Sequence, residues 1–333
     1  MKALALLSGG LDSILAVRLI LEQGIDVEAV NFLTIFCDCM HKENNCLSAK
    51  LAADKLGIKL QIFEVNEEYL EIVKKPKYGY GSQMNPCIDC RIFMLKKARQ
   101  YMKQVGAEFI VTGEVLNERP MSQRLPVLKL IEREADLQGL IVRPLSAKLF
   151  EPTIPEKKGL IEREKLLAIS GRSRKPQIFL ARKYHITDYA WPAGGCLLAD
   201  PGFSGRLRDL MRYVPDFTLN DVKLLKLGRH FRLTDKAKLI VGRNAKENEM
   251  ILSLGRENDY FFYPLDAKGP IALGRVEFNS DLIHLSGGII ARYCDKENNL
   301  PLKIVYKKNL PYEKEQIWED FALSDLEIKR FII

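Results

Sequence analysis

Long apolar runs are missing from this chain of 333 residues, and no stretch approaches the length of about 20 that a membrane span needs. The first apolar segment starts at residue 2, which leaves no room for a secretion leader and predicts a cytoplasmic protein with no membrane partner. Internal repeats and low-complexity tracts are absent as well, so neither a solenoid nor a disordered tail is expected. Histidine is scarce, at four residues, and His185, His230 and His284 each stand alone. His230 falls in a basic segment and is expected to touch RNA, the other two to be structural. Seven cysteines do not make a disulfide framework in a reducing compartment, and they point instead to metal or catalytic use. The first loop fits neither G-x-x-x-x-G-K-S/T nor G-x-G-x-x-G, which excludes the usual triphosphate loop and the dinucleotide fingerprint there.

What is present is enough for two cores, with 47% hydrophobic and 28% charged residues. The net charge of +8 and a pI near 9.0 suggest a polyanionic partner. Between Gly171 and Lys183 the run "GRSRKPQIFLARK" carries Arg172, Arg174, Lys175, Arg182 and Lys183 with no acid, a pattern suited to RNA phosphates.

Up to about residue 115 the chain alternates strand and helix, which implies a parallel sheet covered on both faces. Strands are expected at Leu4 to Leu7, Val27 to Thr34, Leu60 to Val65 and Phe109 to Thr112, with helices from Ser13, from Ser48 to Leu56 and from Ile88 to Val105. Ligands of such sheets collect at the carboxyl ends of the strands. Three loops therefore converge: Ser8 to Ser13, Asn31 to Cys39, and Thr112-Gly113-Glu114. A proline-rich passage follows, residues 156–188 read as helical and basic within a basic linker over 156–190, and Trp191 to Phe203 as a glycine-rich loop. After Pro215 short strands and turns indicate a separate α+β module, in which "HLSGGIIARYC" reads as a strand and Cys294 as a core residue.

The loop "SGGLDS", Ser8 to Ser13, joins a buried strand to an amphipathic helix. Its glycines permit close backbone approach, and the N–H groups at the helix start favour an anion, so a phosphate site is expected. The loop resembles the S-G-G-x-D-S signature of the ATP pyrophosphatases, or PP-loop enzymes, which transfer AMP from ATP to a substrate oxygen. That resemblance implies ATP held by Ser8, Gly9, Gly10 and Ser13, Mg2+ at Asp12, and adenine near Asn31 and Phe32, with Thr112 and Gly113 completing the cofactor site.

"NPCIDCR", Asn85 to Arg91, is similar to the N-P-x-x-x-C-N segment of bacterial tRNA 2-thiouridylases, with Cys90 at the catalytic cysteine. Cys87 stands where those enzymes have an acid, and Arg91 where they have Asn. Cys87-x-x-Cys90 and "TGEVLNERPMSQ", Thr112 to Gln123, also resemble archaeal-type 4-thiouridine synthetases. "LGRHFRL" and "IVGRNAKEN" resemble the NFACT-R type of RNA-binding module. The fold implied is α/β: a parallel-sheet PP-loop domain over 1–204, resembling the adenine nucleotide α-hydrolases and including the basic linker, plus a smaller α+β domain over 215–333.

The activity implied is an ATP-dependent tRNA thiouridine synthetase, a cytoplasmic tRNA sulfurtransferase whose partners are tRNA and a sulfur donor, either sulfide or a persulfide carrier. Arg229, Arg232 and Arg243 would add RNA contacts to the basic run. Asp12, Cys87, Cys90 and Cys196 are the catalytic candidates. At the start of a helix, Cys87 and Cys90 are expected to gain thiolate character. The three cysteines suit a 4Fe–4S cluster with one open iron. A persulfide resolved as a disulfide uses the same residues, and a zinc site ranks third. Cys37, Cys39, His41 and Cys46 follow strand two with a spacing compatible with zinc, with a sulfur-donor contact or with packing. Two rival readings are a PP-loop amidotransferase or ligase using ammonia on a small substrate, and a non-catalytic RNA-binding protein.

Overall fold

A computed structural model describes residues 1–37, 45–189, 196–295 and 300–333, with backbone alone for 45–47. Cys39, His41 and the Cys46 side chain lie outside the described residues, as does the glycine-rich stretch before Cys196. The chain divides into two compact units, Met1–Asp200 and Pro201–Ile333.

The first unit is built on a parallel sheet of β1 (Lys2–Leu6), β2 (Asp26–Leu33), β3 (Leu60–Glu64), β4 (Phe109–Val111) and β5 (Ile141–Val142), in the order β3-β2-β1-β4-β5. Strand periodicity sends Ala3, Ala5 and Leu7 to one face, where small side chains let α1 (Leu11–Leu21) and α2 (Asn45–Leu56) approach closely. Leu4 faces the other way, onto α4 (Cys87–Gln104) and α5 (Leu125–Glu134), against Ile92, Leu95, Ala98 and Ile131. A short helix, α3 (Asn66–Lys74), lies between β3 and α4.

Residues 156–188, expected to be helical, are so only in part. They contain the end of α6 (Ile154–Lys157), a single turn at Arg163–Lys165 and α7 (Lys175–Lys183). Gly159 and Gly171 both adopt positive φ, which ends any helix passing through them.

The second unit opens with α8 (Pro201–Tyr213) and α9 (Leu219–Leu225), so the helix at 201–213 belongs with the C-terminal residues. An antiparallel sheet follows: β6 (Arg229–Arg232), β7 (Lys238–Val241), β8 (Tyr260–Pro264), β9 (Ala272–Arg275), β10 (Leu302–Lys308) and β11 (Gln316–Asp320), ordered β11-β10-β8-β9-β7-β6. Helices α10 (Ala245–Ser253), α11 (Ser280–Ala291) and α12 (Asp325–Ile328) complete it. The segment expected as a strand around "HLSGGII" is helix α11. Its two glycines face neighbours so closely that a Cβ on Gly287 would lie 1.9 Å from an Asp320 oxygen and one on Gly288 2.9 Å from Leu323. The apolar run after them is the buried side of a helix, and Cys294, beyond its end, is half-buried against that core.

Asp209 on α8 ties that helix to the sheet. Arg232 donates to it through Nε at 3.0 Å and Nη2 at 2.7 Å, and Lys238 through Nζ at 3.0 Å. Burial pushes the Asp209 carboxyl up, but the two cations outweigh this and hold it below the ordinary carboxylate range. Burial lowers Lys238 to about 8, with Asp209 pulling the other way, so it still carries charge at neutral pH beside the permanently charged guanidinium.

Asp209→Asn leaves two buried cations without a counter-charge and should lower the unfolding free energy by roughly 3 kcal/mol in denaturant titrations. A carboxylate with a depressed folded pKa stabilises above its unfolded value of about 4, and that contribution is lost as pH falls through the folded value. Wild-type stability should therefore drop below pH 4 more steeply than that of the variant.

Candidate active site

The sheet order reverses between β1 and β4, which is where a parallel sheet opens a crevice at its carboxyl edge. A cavity of about 460 Å3 lies there, and Ser8, Gly10, Asp12, Ser13, Asn31, Phe32, Thr112 and Gly113 all line it. Ser13 holds the first loop in shape: its hydroxyl donates to the Gly10 carbonyl at 2.7 Å and accepts from the Ser8 N–H at 3.3 Å. Asn31 donates to the Leu7 carbonyl at 2.7 Å, and Phe32 stacks on Phe63.

The glycines divide by what surrounds them. Gly9 has φ +76°, and a Cβ on it would sit 2.5 Å from the Ser48 backbone carbon on α2. A Cβ on Gly113 would lie 2.5 Å from the Ser13 nitrogen and 2.6 Å from the Asp12 carbonyl carbon. Both are therefore required by close backbone approach. Gly10 is different, since a Cβ there meets only the Ser8 hydroxyl, at 3.4 Å.

Asp12 is enclosed in the crevice and paired to Arg174, whose Nη2 lies 3.2 Å from Oδ2. Its Oδ1 is buried with no hydrogen-bond partner among the described residues. Burial pushes the Asp12 carboxyl up, and Arg174 offsets this only in part. Glu118, on the same wall, is raised by burial and by the Asp12 charge. Two confined acids, one with a free oxygen, suit a divalent cation that takes its remaining ligands from phosphate and water.

Cys87, Cys90 and Cys196 line the same crevice. Cys87 and Cys90 sit in the first turn of α4, after Pro86. Cys196 comes from far along the chain: Leu197 N–H donates to the Phe36 carbonyl at 2.9 Å, Met84 N–H donates to the Leu198 carbonyl at 3.0 Å, and Cys196 forms a β-bridge with Cys37. Cys37 thus stands opposite Cys196. The expected thiolate character is not what Cys90 shows, because burial outweighs the helix terminus and pushes its thiol up. Cys196 is pushed up to about 12 by burial and by the nearby Cys90, although its side chain can be reached from the crevice. Among the described residues no three potential ligands converge closely enough to hold a metal as they stand. The case for an iron–sulfur cluster rests on three thiol donors sharing one wall.

An ion network that sequence reading missed backs this wall. Glu114, 2% exposed, accepts from Arg143 Nε at 3.0 Å and from Thr112 at 3.2 Å, and lies 3.5 Å from Arg91. Arg143 also pairs with Glu132. Burial raises the Glu114 carboxyl, but Arg143 and Arg91 together hold it below its ordinary value. Tyr69, beside Cys90, was missed as well. The only available signals were the acid in Thr112-Gly113-Glu114 and the Arg in place of Asn at position 91.

The residues expected to meet RNA fall in different settings. Arg174 lies inside the crevice, whereas Arg172, Lys175, Arg182 and Lys183 are exposed. In the second unit Arg229 lies 4.3 Å from the Tyr293 ring centre, and Arg243 is exposed but paired with Glu247. Arg232 serves the fold instead of a phosphate, since its guanidinium is occupied by Asp209 and stacked on Tyr213. His230 is corrected too: it is 1% exposed, its Nε2 bonds to the Leu227 carbonyl, and burial lowers its pKa so that it stays neutral.

Gly9→Ala and Gly113→Ala should each abolish ATP binding and lower the melting temperature, by forcing α2 or the first turn of α1 away. Gly10→Ala should keep a near-native melting temperature. Calorimetric ATP titration beside thermal unfolding reads both.

Residues 1–149 match the family model described as Thiamine biosynthesis protein (ThiI), and residues 228–332 match the NFACT protein RNA binding domain. The chain is similar to a tRNA-specific 2-thiouridylase MnmA of Sulfurimonas denitrificans, at 32% identity over 34% of this chain and 35% of that protein. A MnmA of Pseudomonas fluorescens aligns over 77% of this chain and 72% of its own length at 24% identity. The chain thus spans about a third of the first relative's length. A crystal structure of a 4-thiouridine synthetase–RNA complex with bound ATP aligns over 68% of this chain and 52% of its own, at 21% identity and a TM-score of 0.36. The two family models thus match on either side of the unit boundary, the ThiI one within the first unit and the NFACT RNA-binding one within the second.

Proposed function

We propose that this protein is a cytoplasmic, ATP-dependent tRNA sulfurtransferase that makes thiouridine. The observation that carries the reading is that a phosphate-binding loop and three cysteines line one crevice. A uridine carbonyl oxygen attacks the α-phosphorus of ATP, and pyrophosphate leaves. A sulfur nucleophile then adds at the carbon bearing the adenylated oxygen, and AMP leaves with that oxygen.

The chain's own residues divide this work. Ser8, Gly10 and Ser13 form the cradle for the leaving pyrophosphate, with the N–H groups at the start of α1 turned toward charge that develops there. Asn31 and Phe32 form the wall for adenine. Asp12 would hold Mg2+, whose charge would offset that of the phosphates. Arg174 is within reach of the same phosphates once the metal takes over Asp12 as partner. Cys87, Cys90 and Cys196 handle sulfur taken from sulfide or a persulfide carrier. In the cluster form of the proposal these three hold a 4Fe–4S group, which would supply an open iron for sulfur and keep the three sulfurs as thiolates despite burial. The domain over 215–333 captures tRNA, with Arg229 and Arg243 as contacts.

Incubation of tRNA with ATP, Mg2+ and sulfide, followed by mass analysis of nucleosides, should give an ATP-dependent thiolated uridine. Asp12→Ala should reduce pyrophosphate release about a hundredfold or more with tRNA affinity unchanged. Serine at all three cysteines should retain pyrophosphate release and lose the thiolated nucleoside. Full turnover of a carboxylic substrate with ammonia by the triple variant would favour the amidotransferase reading instead.

Anaerobic preparation should yield about four irons and four sulfides per chain, with loss of both in Cys90→Ser. An iron-free protein that thiolates tRNA at full rate would replace the cluster with a persulfide route.

A further inference from the structure

Helix α7 has two unlike faces. Gln177 and Ala181 are buried, whereas Lys175, Ile178, Phe179, Arg182 and Lys183 point outward. Phe179 is 69% exposed and Ile178 40%. Full exposure of a phenylalanine forfeits the burial free energy that a core position would supply, so a folded chain gains nothing from placing it there. Around it stand Arg172, Lys175, Arg182 and Lys183, none of which has an ion-pair partner among the described residues. Four unneutralised cations interleaved with an exposed ring match a strand that offers both phosphates and flat bases.

The helix also has a defined place relative to the chemistry. Arg174, at its N-cap, reaches into the crevice and pairs with Asp12. Phe179 is five residues further on, about 7 Å along the helix axis, roughly the spacing from one extended nucleotide to the next. We propose that the outer face of α7 is an RNA-docking platform on which Phe179 stacks a tRNA base next to the one presented to the crevice, while the surrounding cations hold its phosphates. The inference rests on the tRNA reading above and assigns to α7 the positioning of the modified loop. A protein sulfur carrier is the competing occupant, but an all-basic face with no acid gives a base-stacking strand the closer match.

The test uses full-length protein with Phe179→Ala, Phe179→Tyr and Phe179→Trp, each checked for an unchanged melting temperature. Phe179→Ala should raise the KM and the Kd for tRNA about tenfold and leave kcat at saturating tRNA within twofold. Phe179→Tyr, which keeps the ring, should restore both. The emission of Phe179→Trp should change when tRNA is added and not when ATP alone is added. Alanine at Lys175 or Arg182 should lower the slope of log affinity against log salt by about one each. An unchanged tRNA Kd in Phe179→Ala, or an emission blind to tRNA, overturns the platform even if the enzyme thiolates normally. Loss of affinity for a persulfide carrier with tRNA binding intact reassigns the face to a protein. Absence of thiolation in the wild type, with the Kd and emission effects present, counts against the proposed reaction and not against the platform.

Discussion

The crevice depends on one steric constraint, the contact between Gly113 and the first turn of α1. The backbone after β4 lies so close to Asp12 and Ser13 that a methyl group does not fit between them. Gly9 makes the equivalent contact on the other side, against α2. These two contacts bring three successive carboxyl-edge loops together, and the spacing between phosphate loop and cysteines follows from them. Because the contacts are backbone to backbone, no side-chain rearrangement can absorb an added atom, unlike at Gly10, where a single hydroxyl could turn away.

Charge is confined in the same region by pairing. Glu114, Arg143, Glu132 and Arg91 form a chain that runs from behind the sheet edge to the crevice wall. Buried ions are tolerated only when each has a partner, and removal of one strands the next. The chain therefore ties Arg91, one residue after Cys90, to Glu114 on the crevice wall. Asp12 and Arg174 form a looser pair, with one carboxylate oxygen left free. The difference suits their positions: the first network is scaffold, and in the proposed reaction the second would exchange partners when phosphate and metal bind.

Much of this was legible in the sequence because its signals were local. The strand-turn-helix at Ser8 to Ser13, the alternation up to β4 and the Cys-x-x-Cys at a helix start each occupy a few consecutive residues. The convergence of Cys196 on that pair was also expected from its glycine-rich approach, but the anchors responsible, Phe36 and Met84, are backbone hydrogen bonds that leave no trace in side-chain pattern. The ion chain behind Glu114 was not legible, since it joins residues 11 to 29 positions apart pairwise and without periodicity. Helix α11 was misread because "GGII" carries strand-forming residues, and the tertiary need for two glycines against the end of β11 and the residues after it overrides that propensity. Arg232 was misread because a basic segment looks like a ligand surface until the acid that pairs with it, Asp209, is placed beside it, and His230 because nothing local marks it as buried.

The burial of the thiols bears on how such a site avoids wasteful chemistry. A cysteine held as a thiol neither alkylates nor oxidises readily, because the thiolate is the reactive form. Burial pushes the Cys90 and Cys196 thiols up, with Cys87 and Cys37 adding to the effect at Cys90 and Cys90 adding to it at Cys196. Deprotonation therefore requires a compensating positive charge close to the sulfurs. Arg91 supplies some of it at Cys90, but burial outweighs it. An iron centre would supply it permanently; a persulfide would reach the same end by presenting a more acidic outer sulfur. On either proposed route the protein's own contribution would be an electrostatic one, a wall whose burial favours the protonated thiol.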